Sequence, residues 1–140
     1  MTMIDDSALG RRVLRRDARK FERYDLEGPP QPEMEWLPIS FDRASGQGCY
    51  LMRMAPGAVT IPHDHPGMEE FMVLEGDLVD SDGTRFGPGD FISYGPNTHH
   101  NSWTRTGCVI VVFEWAPLAQ QRAAAIRTSD SASDTGSPSA

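Results

Sequence analysis

Glycine and proline cut this chain of 140 residues into pieces too short for long helices. Thirteen glycines and eleven prolines are spread along it. From residue 34 onward they gather into clusters: Ala55-Pro56-Gly57, Pro66-Gly67, Gly87-Pro88-Gly89 and Gly95-Pro96-Asn97, with Asp82-Gly83 between. Glycine supplies positive φ and proline fixes φ without offering an N–H, so such clusters turn the chain instead of extending it. The runs between them are rich in β-branched, aromatic and methionine residues. They read as strands over 35–41, 48–54, 58–65, 69–75, 77–80, 90–94 and 108–115. Many short strands joined by turns predict an all-β sandwich or small barrel, not a βαβ sheet.

The flanks differ in kind. Residues 1–33 are expected to form an N-terminal arm, with room for a short helix, before the β domain at 34–118. Seven of the thirteen basic residues, Arg11 to Arg23, lie in that arm, and Val13 and Leu14 are the only large apolar residues between Arg11 and Lys20. A solvated arm or a segment docked on the domain is the expectation there. Gly28-Pro29-Pro30-Gln31-Pro32 makes an extended break. Residues 119–140 read as a tail, disordered from about 128, where Ser, Asp, Ala, Thr, Gly and Pro leave nothing to bury.

Charge and hydropathy narrow the function class. The net charge of −7 and pI near 4.9 argue against a protein devoted to nucleic-acid phosphates. No apolar run approaches the roughly 20 residues that cross a bilayer. Met1 to Gly10 has no signal-peptide pattern. Cys49 and Cys108 are expected as free thiols, and the chain as a cytoplasmic protein.

All four histidines occur as two pairs, His63/His65 and His99/His100. On a strand, residues i and i+2 share a face, so His63 and His65 project together. Two adjacent imidazoles inside a barrel repel when protonated, and a shared divalent cation removes that conflict. Pro66-Gly67 then turns the chain so that Glu69 or Glu70 can return to the same point. Imidazole and carboxylate donors suit Fe(II), Zn(II), Ni(II), Mn(II) or Cu(II). One of His99 and His100 is expected to face inward and complete the site, the other to face out. No phosphate-cradling glycine loop, Cys-x-x-Cys pair or nucleophile elbow competes. Asp80-Ser81-Asp82-Gly83 lacks the further ligands of a calcium loop and reads as a hairpin turn.

Gly57, five residues, His63-x-His65, three residues, Glu69, six residues and Gly76 resemble the first motif of the cupin superfamily without a gap. The second motif is looser. It begins at Gly89, but Gly95 stands where proline is usual, Asn97 where glycine is usual, and Thr104 in place of a late asparagine. Asparagine tolerates the left-handed turn better than other non-glycine residues, so that change is mild. The resemblance spans roughly residues 36–115 and implies a single-domain cupin double-stranded β-helix, a jelly-roll barrel. It also implies His63, His65, Glu69 and His100 as metal ligands. Glu70, one step out of phase, is then expected to face away, toward a neighbouring arginine.

The run from His63 to Gly76 is most similar to two kinds of small cupin: the sensor domain of zinc-binding anti-sigma factors, and dioxygenases related to acetylacetone-cleaving enzymes. Residues 1–33 contain neither His nor Cys, unlike the sigma-binding module of the former. The resemblance therefore implies an oxidoreductase, a dioxygenase in which one divalent ion, Fe(II) first, holds a small enolisable or phenolic substrate for dioxygen. Glu69 is the candidate proton acceptor, with His99 and Tyr94 behind it. A zinc-binding or ligand-sensing regulator, or an isomerase or lyase, is the alternative. Tyr50, Met52 and Met54 on one strand face, Val111, Phe113 and Trp115 on another, and Phe91, Tyr94 and Trp103 are candidates for a pocket over the metal. Met68 and Met72 are expected in the core or at the entrance. A homodimer is the expected assembly.

Overall fold

The structure is a computed structural model that describes residues 3–6, 8–26, 29 and 31–115. The expected tail at 119–140, and the last three residues assigned to the β domain, lie outside the described residues. In chain order the strands are β1 (Met3–Asp6), β2 (Arg11–Leu14), β3 (Glu22–Arg23), β4 (Met34–Asp42), β5 (Gln47–Met54), β6 (His63–His65) and β7 (Met68–Gly76). They continue as β8 (Leu78–Asp80), β9 (Arg85–Phe86), β10 (Phe91–Tyr94), β11 (Thr98–His100), β12 (Ser102–Trp103) and β13 (Cys108–Trp115).

One sheet carries the order β10-β7-β13-β5-β4-β3, and the smaller sheets are β11-β6, β12-β8-β9 and β1-β2. Within the large sheet, side chains of one parity meet in rungs. Ile110 lies beside Met52 and Val73, and Val112 beside Tyr50 and Phe71. With Trp36, Met54, Leu78 and Cys108 these make the buried core. Trp36 is the centre of an aromatic cluster, meeting Tyr24, Phe41 and Tyr50 edge-on at 5.5–5.7 Å. The Arg43 guanidinium stacks on its ring at 5.0 Å.

Several expectations need correction. The arm forms β1, β2 and β3, with one short 3-10 helix, Arg16–Ala18, between β2 and β3. Val13 and Leu14, the only large apolar residues between Arg11 and Lys20, make no stripe for a longer helix to bury, and extended pairing serves the arm better. β3 adds to the edge of β4, Arg12 Nη2 donates to Ser40 Oγ at 2.8 Å, and Arg16 meets Glu75 at 2.7 Å. The strand expected at 58–65 shrinks to β6 and an isolated bridge at Val59, since Pro62 cannot donate to a ladder.

The parity of β13 also came out against expectation. Cys108, Ile110 and Val112 belong to the core, while Val111, Phe113 and Trp115 take the opposite face. Trp115 is 49% exposed and Phe91 52%, and Met68 and Trp103 are exposed as well. None of these lines the cavity of about 70 Å³ described below, but Trp115 lines an outer cavity beside His65 and Glu69. Cys49 sits beside Phe113 on that outer parity and Cys108 on the inner one, so both thiols are free.

Candidate metal centre

β6 and β11 form an antiparallel ladder that sets Thr98 against His65, His99 against Asp64 and His100 against His63. The alternation sends His63, His65 and His100 to one face and Asp64 and His99 to the other. The turn before β11 is built on Asn97, whose φ of 64° is left-handed and whose N–H donates to His65 O at 2.7 Å. That turn sets the register which carries His100 inward. After Pro66-Gly67, β7 brings Glu69 to the same place.

The three rings surround one point, with centroids 4.7–4.8 Å apart. One donor atom from each of His63, His65, Glu69 and His100 lies within 4.8 Å of every other. The hydrogen bonds decide what those atoms offer. His63 Nδ1 faces the Ile61 carbonyl at 2.8 Å, His65 Nδ1 the Thr98 hydroxyl at 3.0 Å, and His100 Nδ1 the Asp80 carboxylate at 2.9 Å. Thr98 spends its own proton on Gly95 O at 2.7 Å, so it accepts from His65. All three Nδ1 atoms therefore carry the proton, and each Nε2 presents a lone pair.

His65 Nε2 and His100 Nε2 are buried without a hydrogen-bond partner. Glu69 Oε1 lies 3.3 Å from the first and 4.0 Å from the second, close but without hydrogen-bond alignment. Buried polar atoms left unmatched are costly. Convergent imidazole lone pairs beside a carboxylate fit a divalent transition metal, whose bonds would satisfy them together.

The surrounding charges hold this state. Burial would push the Glu69 carboxyl up, but its contacts with His65 and Glu114 and the nearby imidazoles outweigh that and keep it low. Burial pulls His100 down, against the opposing pull of Asp80, which favours the neutral ring. Asp80 also accepts from the Tyr94 hydroxyl and the Ser81 N–H. Burial and the Asp80 carboxylate raise the Tyr94 phenol far above its ordinary value. The Tyr94 ring lies 4.2 Å from that of His100, so Asp80 and Tyr94 together orient the His100 imidazole.

His99 stands apart from this cluster. Its Nδ1 pairs with Asp64 Oδ1 at 2.7 Å, with the side chains 61% and 84% exposed. Glu70 does face away from the site, but its oxygen accepts from the Trp115 indole at 3.1 Å, not from an arginine. The indole sits on the same outer face, where no arginine was required.

Asp80 and Glu114 escaped the sequence reading. Asp80 was absorbed into a hairpin turn, although a carboxylate ending the apolar run Leu78-Val79 was a signal. Glu114 shares parity with Ile110 and Val112, and that alternation would have turned it inward. In the sheet it lies opposite Glu69, and Tyr50 Oη donates to it at 3.1 Å. A cavity of about 70 Å³ adjoins His63, Glu69 and His100. Its apolar wall includes Met52, Met54, Phe71, Ile110 and Val112.

A family model described as the ChrR cupin-like domain matches residues 20–118. No curated protein matches the chain. Among solved structures, KdgF from Halomonas sp. superposes with a TM-score of 0.55 at 19% identity, over 75% of this chain and 94% of that one. The Rhodobacter sphaeroides complex of SigE with the anti-sigma ChrR gives 0.55 at 20% identity, over 72% and 52%. An acetylacetone dioxygenase from Acinetobacter johnsonii gives 0.51 at 11% identity, over 58% and 59%. These likenesses establish the cupin fold, and the chain spans little more than half the length of the last two.

Proposed function

The chain belongs to the ChrR cupin-like family, and we propose that it is a metal-dependent oxidoreductase, a dioxygenase acting on a small enolisable or phenolic substrate. The observation that carries this reading is the convergence of three imidazole Nε2 lone pairs and the Glu69 carboxylate beside an apolar cavity. His63, His65, Glu69 and His100 would hold one divalent ion, Fe(II) first, with Zn(II), Ni(II) or Mn(II) as alternatives. Such an ion supplies Lewis-acid polarisation of the substrate and, as Fe(II), reactivity toward dioxygen.

The protein's own groups do the rest. Asp80 and Thr98 hold two of the imidazoles in the tautomer that leaves Nε2 open. The apolar wall excludes water from the substrate. Glu69, inside the cluster and kept ionised, is placed to accept the substrate's proton. Tyr94 donates its hydroxyl to Asp80 and so serves better as an orienting group. His99 is on the solvent side, and we assign it no step.

The test is metal analysis of protein purified without added metal, followed by oxygen uptake with diketone, flavonol and catechol-type substrates. The expected result is one ion per chain and uptake with at least one class. His63→Ala and His100→Ala are expected to lose both. Full loading with Fe(II) and no uptake across the set would sink the dioxygenase.

A second reading, a zinc-binding regulator, is favoured by the family match itself, which takes its description from ChrR. Zinc retained through purification, with no oxygen uptake after exchange to Fe(II), would decide for it. We propose a homodimer in either case, to be checked by sedimentation.

A further inference from the structure

We propose that the cluster is served from two sides: an outer cavity receives the body of a planar organic ligand, and the inner cavity holds a small apolar guest of dioxygen's size. This rests on the function proposed above, because it assigns the two substrates of that reaction to separate places at the same site.

Placement comes first. The inner cavity of about 70 Å³ opens onto His63, Glu69 and His100, and the outer one of about 300 Å³ onto His65 and Glu69. Tyr24, Tyr50, Glu69 and Glu114 belong to both linings. The cluster therefore stands where the two cavities meet, and its side chains are reached from either one.

Size comes second. Small-molecule sites usually measure about 300–1,000 Å³. The outer cavity reaches that range and the inner one falls well short of it. Since a water needs roughly 10–15 Å³ by this measure, the inner cavity has room for about five. A diatomic gas fits there, and a ligand of several rings does not.

The walls come third. Met52, Met54, Phe71, Leu78, Ile110 and Val112 line the inner cavity, and all are buried. Gln31, Thr60 and Ser102, in the same lining, bond to the protein. Gln31 Nε2 donates to the Val59 carbonyl at 3.2 Å, the Thr60 hydroxyl accepts from the Ser102 N–H at 2.8 Å, and the Ser102 hydroxyl donates to Asp80 at 3.4 Å. What remains is an apolar wall with few partners for water, and apolar cavities take guests such as benzene or xenon. The outer cavity is lined instead by aromatic side chains, Tyr24, Phe41 and Trp115. The Trp115 indole N–H donates to Glu70 at 3.1 Å, which pins the ring while 49% of the residue stays exposed. A fixed aromatic face in the cavity that holds His65 suits a planar ring stacked with its reactive end toward the cluster.

The experiment uses full-length protein loaded with Zn(II), which has no redox chemistry, and two probes, xenon and a flavonol. Xenon is expected to shift the methyl resonances of Met52, Met54, Ile110 and Val112, and to shift them equally when the flavonol is saturating. By calorimetry, Trp115→Ala is expected to weaken flavonol binding about three- to tenfold, the range of one aromatic stack. Ser45→Trp, placed on an exposed turn of the outer lining, is expected to weaken it at least tenfold by filling that cavity. Neither variant should alter the xenon shifts. Competition between the two probes, no xenon shift, no flavonol binding to fully loaded protein, or unchanged flavonol affinity in either variant would each overturn the inference. Oxygen uptake by Fe(II)-loaded protein is scored separately. Both guests in their expected places without uptake uphold the inference and remove the dioxygenase; uptake with guests that compete does the reverse.

Discussion

The two ends of β7 treat buried polar groups in opposite ways. Around Glu69, His65 and His100 each keep a buried Nε2 with no hydrogen-bond partner. Around Gly76, the buried Thr104 donates its hydroxyl to Asp77, a carboxylate near the surface that also accepts from the backbone N–H and hydroxyl of the exposed Thr106. Thr104, fully buried, also bonds through its backbone to Gly57 and Ala58. Buried polar groups need partners wherever they sit. A network that supplies its own is structural, whereas one that stops short, with its lone pairs aimed at a common point, calls for something to be bound. The glycine that closes the first cupin motif belongs to the structural end, and the histidines that open it belong to the binding end.

The sharpest test of the structural end is Gly76→Ala. Gly76 has φ +80°, and an added Cβ would stand 1.8 Å from the Gly107 carbonyl oxygen. Backbone cannot yield there without moving β13. The expected loss exceeds about 4 kcal/mol, read as insoluble protein or collapse of the urea midpoint. A variant that melts near wild type would break the contrast, because the motif glycine would then be needed for something other than the fold.

At the binding end, Asp80→Asn keeps the shape but removes the charge behind His100. Metal affinity is expected to fall about 10–100-fold, measured by competition with a chelator. A change under about threefold would mean that Asp80 does not orient the ligand.

Acid should separate the two ends as well. Hydrogen bonds from the Thr106 hydroxyl, and then from its backbone N–H, hold Asp77 down to about 2 against an ordinary value of 3.8. Its contribution is therefore complete above about 3.8 and is lost as pH falls toward 2. Asp77→Asn is expected to shrink the drop in urea midpoint between pH 5 and 2.5. An identical drop in the variant would show that the turn is not held by charge.

The smallest effect is expected from His99→Ala, one residue away from the candidate ligand His100. The exposed pair with Asp64 is screened by water, so stability should move by less than about 1 kcal/mol. Metal content should stay unchanged. Loss of metal in this variant would mean that the β6–β11 register differs from the one described.

Much of this was legible along the chain. Turn clusters of Gly and Pro marked the strand ends, and 108–115 came out as β13 residue for residue. His63 and His65 share a face because alternation is a property of the backbone itself. The tolerance of Asn97 for a left-handed turn was readable from its short side chain, and its φ of 64° bears that out.

What was missed shares one cause. The arm's pairing with β4, the inward parity of Ile110 and Val112, and the roles of Asp80 and Glu114 all depend on which strands lie side by side. Asp80 is twenty residues from His100, and Tyr50 is 64 from Glu114. Local covalent geometry determines where strands break and which side chains point the same way. Only the closed barrel decides which face is inside, and therefore which carboxylates stand behind the histidines and which one looks into the cavity.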